Sequence, residues 1–157
     1  MRIIKIIAQK IGISVLPRFF SCMDLIVNKT QKISGAALAP SSKSHSVRGL
    51  LLAALVSGTA ELKNVLDSDD TAAARKTAEA LGAQINVKKN VDSENSLDVE
   101  VMSRGIPLTT SRKIFTGDSG ITTRFVLPLL GLRKNSDVPV QIDCSEQMRA
   151  RPIKPLM

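Results

Sequence analysis

Apolar and polar positions in this chain of 157 residues alternate between strand-like and helix-like stretches from Met23 onward. Leu25-Ile26-Val27 and residues 32–38 read as short strands. A long apolar run from Leu50 to Val56 follows a serine-rich segment. Ser44 predicts the N-cap of a helix reaching about Ser57, with Gly58 at its C-terminal end. That run is apolar nearly all round, so the helix is expected to be buried on most sides. Residues 59–66 read as a strand. Ser68-Asp69-Asp70 opens a second helix, its acids favourably placed at the positive dipole end; residues 72–81 continue it and Gly82 ends it. Residues 83–87 and 97–101 form a strand pair across a polar loop, 88–96. This βαβαββ order is that of a compact α/β unit.

A second unit begins near Ile114. Gly117-Asp118-Ser119-Gly120 is a glycine-bracketed loop, followed by helical periodicity over 121–132, in which Pro128 predicts a kink or short pieces. Residues 138–142 read as a strand, 145–151 as a polar, basic loop, and Pro152-Ile153 as the start of another helix. Stopping there, in mid-unit, the chain reads as a fragment.

Composition narrows the class. The hydrophobic content of 43% fits a globular protein with a real core. The formal net charge of +8 invites a nucleic-acid reading. However, Arg2, Lys5, Lys10 and Arg18 concentrate charge at the N-terminus, and beyond them bases and acids interleave. With no Trp or Tyr, and only Phe19, Phe20, Phe115 and Phe125 as aromatics, platforms for stacking bases are nearly absent. No nucleic acid is expected as a partner. Cys22, Cys144 and the sole histidine, His45, give no metal-ligand spacing. Residues 1–22 are basic and acid-free, but their apolar stretch is broken by charge, so neither a signal peptide nor a membrane span fits. They read as an upstream extension before a start at Met23, with an organellar transit peptide as the alternative.

Three stretches carry basic side chains beside exposed backbone. In Pro40-Ser41-Ser42-Lys43-Ser44-His45-Ser46-Val47-Arg48, Lys43 is expected just outside the first helix and Arg48 one turn inside it. Both could reach one anion at the helix mouth, where free N–H groups and the dipole favour negative charge. An ordinary capped helix with solvated bases would give the same spacing. Gly117-Asp118-Ser119-Gly120, with Arg124 beyond it, could expose N–H groups to a ligand or be a plain strand-to-helix turn. It is not a P-loop, since no Gly-Lys-Ser/Thr follows. Arg149-Ala150-Arg151-Pro152-Ile153 supplies two guanidinium forks, or a solvated basic loop.

Taken in order, these stretches together with Leu66-Asp67-Ser68-Asp69-Asp70-Thr71 resemble the EPSP synthase family, and the resemblance covers Met23 to Met157. The related UDP-N-acetylglucosamine enolpyruvyl transferases share the fold, but differ in the lysine motif and glycine loop. The resemblance implies an α/β fold of βαβαββ units, the inside-out α/β barrel of enolpyruvyl transferases, here incomplete. Residues 23–41 would be strands belonging to the other domain, and 42–157 part of a substrate-binding domain. It implies Lys43, Ser44 and Arg48 as ligands of shikimate-3-phosphate, and Lys43, Gly120 and Arg151 as ligands of phosphoenolpyruvate. Asp118, Arg124 and Arg149 would be supporting residues, and Asp67, Asp69 and Asp70 a helix cap and structural network. Two departures stand out: Ile121 where threonine is usual, which removes a hydroxyl beside the phosphoenolpyruvate glycine, and Gln147 where a base is common.

The implied reaction adds the 5-hydroxyl of shikimate-3-phosphate to C2 of phosphoenolpyruvate, protonates C3, and expels phosphate to give EPSP. No metal or other cofactor is implied. The family's acid–base carboxylate lies in a C-terminal part absent here, so no catalytic residue is assigned and the chain alone is expected to be inactive. Cytoplasmic location and a monomeric full-length enzyme follow from the same resemblance. The alternative is a stand-alone module that binds phosphorylated ligands without catalysis.

Overall fold

The computed structural model describes residues 13–17, 23–27, 35, 39–90, 95–106, 111–133 and 138–153. The chain divides into two units, Met1–Ala39 and Pro40–Met157. In the first, β1 (Ile13–Pro17) pairs antiparallel with β2 (Met23–Val27), Ile13 opposite Val27 and Pro17 opposite Met23. The strand expected at 25–27 lies within β2, and its partner comes from residues 1–22. The strand expected at 32–38 lies outside the described residues, Gly35 apart.

The second unit begins with α1 (Lys43–Ala53) and β3 (Ser57–Leu66). Then come α2 (Asp69–Ala80), β4 (Gln84–Lys89) and β5 (Ser96–Arg104). After these follow β6 (Lys113–Phe115), α3 (Gly120–Leu130), β7 (Gln141–Asp143) and α4 (Glu146–Arg149). β5 is the centre of an antiparallel sheet of order β3-β5-β4, and β6 pairs in parallel with β7.

One core joins the layers of this unit. Val47, Leu50 and Leu51 of α1 meet Ala74 and Ala78 of α2, Val126 and Leu129 of α3, Val99 and Val101 of β5, and Ile114 of β6. Each fully buried leucine here is worth about 1.5–3 kcal/mol relative to exposure. The expected burial of α1 on most sides holds except at one stripe. His45 and Leu52, seven residues apart and so on one face, are both exposed.

Several sequence-based boundaries move for local reasons. The N-cap of α1 is Ser42, not Ser44: its backbone is extended and its hydroxyl accepts the His45 N–H at 3.4 Å. Lys43 is therefore the first helical residue rather than one outside the helix. The helix also stops at Ala53, because β3 takes the chain from Ser57. Helix α3 starts at Gly120 and runs past Pro128 to Leu130, with Pro128 in its last turn. The strand expected at 138–142 is confined to β7, since Pro139 has no N–H to give a ladder. The loop expected at 145–151 contains the single-turn helix α4, and Pro152 and Ile153 are not helical.

Candidate functional site

The start of α1 carries Lys43, Ser44 and Arg48. A cation at the first helical position opposes the helix dipole, which tends to make such a lysine an anion-attracting feature rather than a stabilising one. Lys43 Nζ lies 3.1 Å from Asp70 Oδ2, in the first turn of α2, where a carboxylate suits the dipole. With side chains 51% and 25% exposed, this pair is worth at most about 1 kcal/mol and can open to a stronger anion. Arg48 Nε donates to Ser44 O at 3.0 Å, turning the guanidinium back along the helix towards its mouth. Ser46 fastens this helix to the sheet: its Oγ accepts the Leu66 N–H at 3.0 Å. A register shift in β3, with Asn64 at φ 59, precedes that contact. The Asn64 N–H bonds Asp98 and is the main cause holding that carboxyl below its ordinary pKa.

The start of α2 is fixed by a capping box. The Thr71 N–H bonds Ser68 Oγ at 3.4 Å, the Ser68 N–H bonds Thr71 Oγ1 at 3.1 Å, and Thr71 Oγ1 donates to Leu66 O at 2.6 Å. The cap expected of Asp67, Asp69 and Asp70 is made instead by Ser68 and Thr71, and of these aspartates Asp70 pairs with Lys43. The same helix start also bridges the first two basic clusters. Asp70 takes Lys43, and the side chain of Ala73, one turn on, packs beside Gly117: a Cβ on Gly117 would lie 3.6 Å from Ala73 Cβ.

Gly117 has φ +60, a left-handed conformation that favours glycine. The chain then turns into α3 through Ser119, whose Oγ accepts the Thr122 N–H at 3.3 Å. Buried Thr116 and Thr123 share a hydroxyl contact at 2.7 Å behind the loop. Across from it stands the turn after β7. The Ser145 N–H donates to Gly117 O at 3.1 Å, and the Ser145 hydroxyl donates to Asp118 Oδ1. A Cβ on Gly120 would lie 3.4 Å from Arg151 Nη1 and 3.5 Å from Met148 Cε. Gly120 and Arg151, drawn together in the sequence reading, are therefore neighbours in space.

The two motif arginines of this turn differ in what they do. Arg149 Nη2 is 2.8 Å from Asp143 Oδ1, and Lys113 Nζ is 3.3 Å from Asp143 Oδ2. The Arg149 hydrogen bond, followed by the Cys144 N–H, holds the Asp143 carboxyl below its ordinary pKa, against a smaller effect of burial. Arg149 is thus committed to structure, with its own pKa raised by Asp143. The guanidinium of Arg151 makes no hydrogen bond or ion pair among the described residues and rests against Gly120. Arg124 is exposed on α3.

Sequence reasoning missed Met148 and Ser145 as site-building residues. Met148, 2% exposed, forms the floor below Gly120. The available signal was a serine three residues before Met148, the spacing of a helix cap. A cleft of about 340 Å³ between α1 and β3 is lined by Ser42, His45, Gly49, Lys63 and Asn64 among others, but by neither Lys43, Ser44 nor Arg48. Among the described residues, no group of three or more His, Cys, Asp or Glu could hold a metal, and no helix is long and apolar enough to cross a membrane.

Comparison with known proteins adds independent information. The family model of EPSP synthase (3-phosphoshikimate 1-carboxyvinyltransferase) matches residues 27–157. The chain is 38% identical over 128 residues to the 3-phosphoshikimate 1-carboxyvinyltransferase of Hamiltonella defensa, covering 80% of this chain and 28% of that protein. It is 33% identical over 135 residues to the Methanothermobacter thermautotrophicus protein of the same name, covering 86% of this chain and 30% of the relative. A solved EPSP synthase from Acinetobacter baumannii superimposes with a TM-score of 0.63 at 23% identity, over 78% of this chain and 27% of that one. The chain thus spans about 30% of the length of the curated relatives it matches.

Proposed function

The chain belongs to the EPSP synthase family, and from that premise we propose that it supplies the anion-binding part of an enolpyruvyl-transfer site. Shikimate-3-phosphate is held at the mouth of α1 by Lys43, Ser44 and Arg48. Phosphoenolpyruvate is held between the backbone of Gly120 and the fork of Arg151, with Lys43 shared by the two ligands. The observation that carries this reading is the contact of Arg151 Nη1 with Gly120, 3.4 Å from where a Cβ would stand. A Cβ there would already touch the guanidinium and fill space that glycine leaves open for a phosphate or carboxylate to take two N–H bonds at once.

In the transfer, the 5-hydroxyl of shikimate-3-phosphate adds to C2 of phosphoenolpyruvate, C3 gains a proton, and phosphate leaves. Lys43, Arg48 and Arg151 orient the two anions and balance the charge on the departing phosphate. The proton transfers are assigned to groups in the remaining length of the family polypeptide, not to this chain. On the same reading the protein works in the cytoplasm on these two small molecules.

Titration calorimetry of the full chain tests the assignment. Arg48→Ala is expected to weaken shikimate-3-phosphate binding roughly tenfold, the value of one lost charge-assisted hydrogen bond, and to leave phosphoenolpyruvate affinity unchanged. Equal loss of both ligands, or no heat with native protein, would count against it.

A further inference from the structure

We propose that Ser145 is a positioning residue that holds Arg151 against Gly120, acting through Asp118 and the turn bearing Met148; the proposal rests on the reading of Gly120 and Arg151 as the phosphoenolpyruvate pair. Contacts to both sides of the site meet on this serine. Towards the glycine loop, its hydroxyl donates to Asp118 Oδ1 and its N–H donates to Gly117 O at 3.1 Å. Towards the arginine turn, the same hydroxyl oxygen accepts the Met148 N–H at 3.3 Å, capping α4. From there the chain is tightly wound: Arg149 N–H donates to Ser145 O at 3.1 Å, and Arg151 N–H donates to Met148 O at 3.0 Å. The Met148 side chain is buried under Gly120. Loop and turn are therefore clasped at Ser145, and the fork of Arg151 is carried at the end of the clasped turn.

The chemistry requires a hydroxyl. An O–H group gives its one proton to Asp118 while a lone pair receives the Met148 N–H. Threonine can do both. Aspartate caps helices as well as serine does, but it only accepts, and it would set a second carboxylate against Asp118. A guanidinium contributes its full two-point binding only when its geometry is held for it, so loosening the clasp should be felt at the ligand.

The test uses the isotopically labelled full chain and two readouts. The first needs no ligand: nuclear Overhauser contacts between the Arg151 guanidinium protons and the Gly120 α-protons. They are expected in native protein and in Ser145→Thr, lost in Ser145→Asp, and regained when Ser145→Asp is combined with Asp118→Asn, whose amide can donate to the introduced carboxylate. The second readout titrates phosphoenolpyruvate. Ser145→Asp should bind roughly tenfold more weakly than native protein, with Ser145→Thr and the double variant close to native. A mere helix cap would leave Ser145→Asp unaffected in both readouts.

Contacts that persist in Ser145→Asp, or that are missing from native protein, overturn the proposal. So does loss of the contacts with unchanged phosphoenolpyruvate affinity. If native protein binds no phosphoenolpyruvate while the contacts follow the expected order, the reading of the ligand pair fails and the clasp stands.

Discussion

Replacing Lys43 with alanine is expected to weaken shikimate-3-phosphate and phosphoenolpyruvate binding alike, each by about ten- to a hundredfold, as measured by calorimetry. The double loss is what distinguishes Lys43 from Arg48. Lys43 stands at the first position of α1 and reaches the first turn of α2 through Asp70, 27 residues away in sequence. Its ammonium sits between two helix N-termini, where the dipoles already favour an anion. Removing it subtracts a full charge from that region. The fold should hardly notice, because an ion pair this exposed is worth at most about 1 kcal/mol. The melting temperature should fall by no more than a few degrees. Asp70→Asn is the useful contrast: it frees Lys43 without removing it, so affinity should hold or rise. A Lys43→Ala protein that loses only one ligand would refute a shared lysine.

Arg151→Lys is expected to weaken phosphoenolpyruvate binding by about ten- to a hundredfold while leaving shikimate-3-phosphate affinity unchanged. Charge is conserved in this variant, so the loss isolates geometry. A guanidinium offers two parallel N–H groups in a fixed plane, whereas an ammonium is a point charge on a flexible stem. Arg151 is exposed and its side chain makes no hydrogen bond or ion pair among the described residues, so the substitution breaks none of the contacts seen there. Full retention of phosphoenolpyruvate affinity in Arg151→Lys would show that the arginine contributes charge alone, or nothing.

Much of this structure was legible in the sequence where the signal is local. The start of α2 is an example: Ser68, two acids and Thr71 carry the whole capping pattern within one turn. The antiparallel pairing of β4 with β5 followed from two apolar stretches around a polar loop. The errors came where one of several local candidates had to be chosen by distant partners. Four serines precede Arg48 within its motif, and Ser46 is drawn to Leu66 of β3 while Ser42 takes the cap. Helix α4 is a single turn, too short to show periodicity.

The site followed the same division. Lys43, Arg48, Gly120 and Arg151 could be picked out by residue type and motif order. That Asp70 would receive Lys43, and that Ser145 would clasp Asp118, could not, because both contacts join segments 27 residues apart. The partner of Arg149 was equally hidden: it is Asp143, placed by the parallel pairing of β6 with β7.

The central claim is that the mouth of α1 and the glycine loop form one anion-binding surface with two ligands. Backbone amide shifts of the labelled chain, followed as shikimate-3-phosphate and then phosphoenolpyruvate are added, test it most directly. The expected result is movement at Lys43, Ser44 and Arg48 with the first ligand, and at Gly117, Gly120 and Arg151 with the second, Lys43 responding to both. Shifts confined to the cleft between α1 and β3, at His45, Gly49 and Lys63, or no shift at either cluster at saturating ligand, would contradict it.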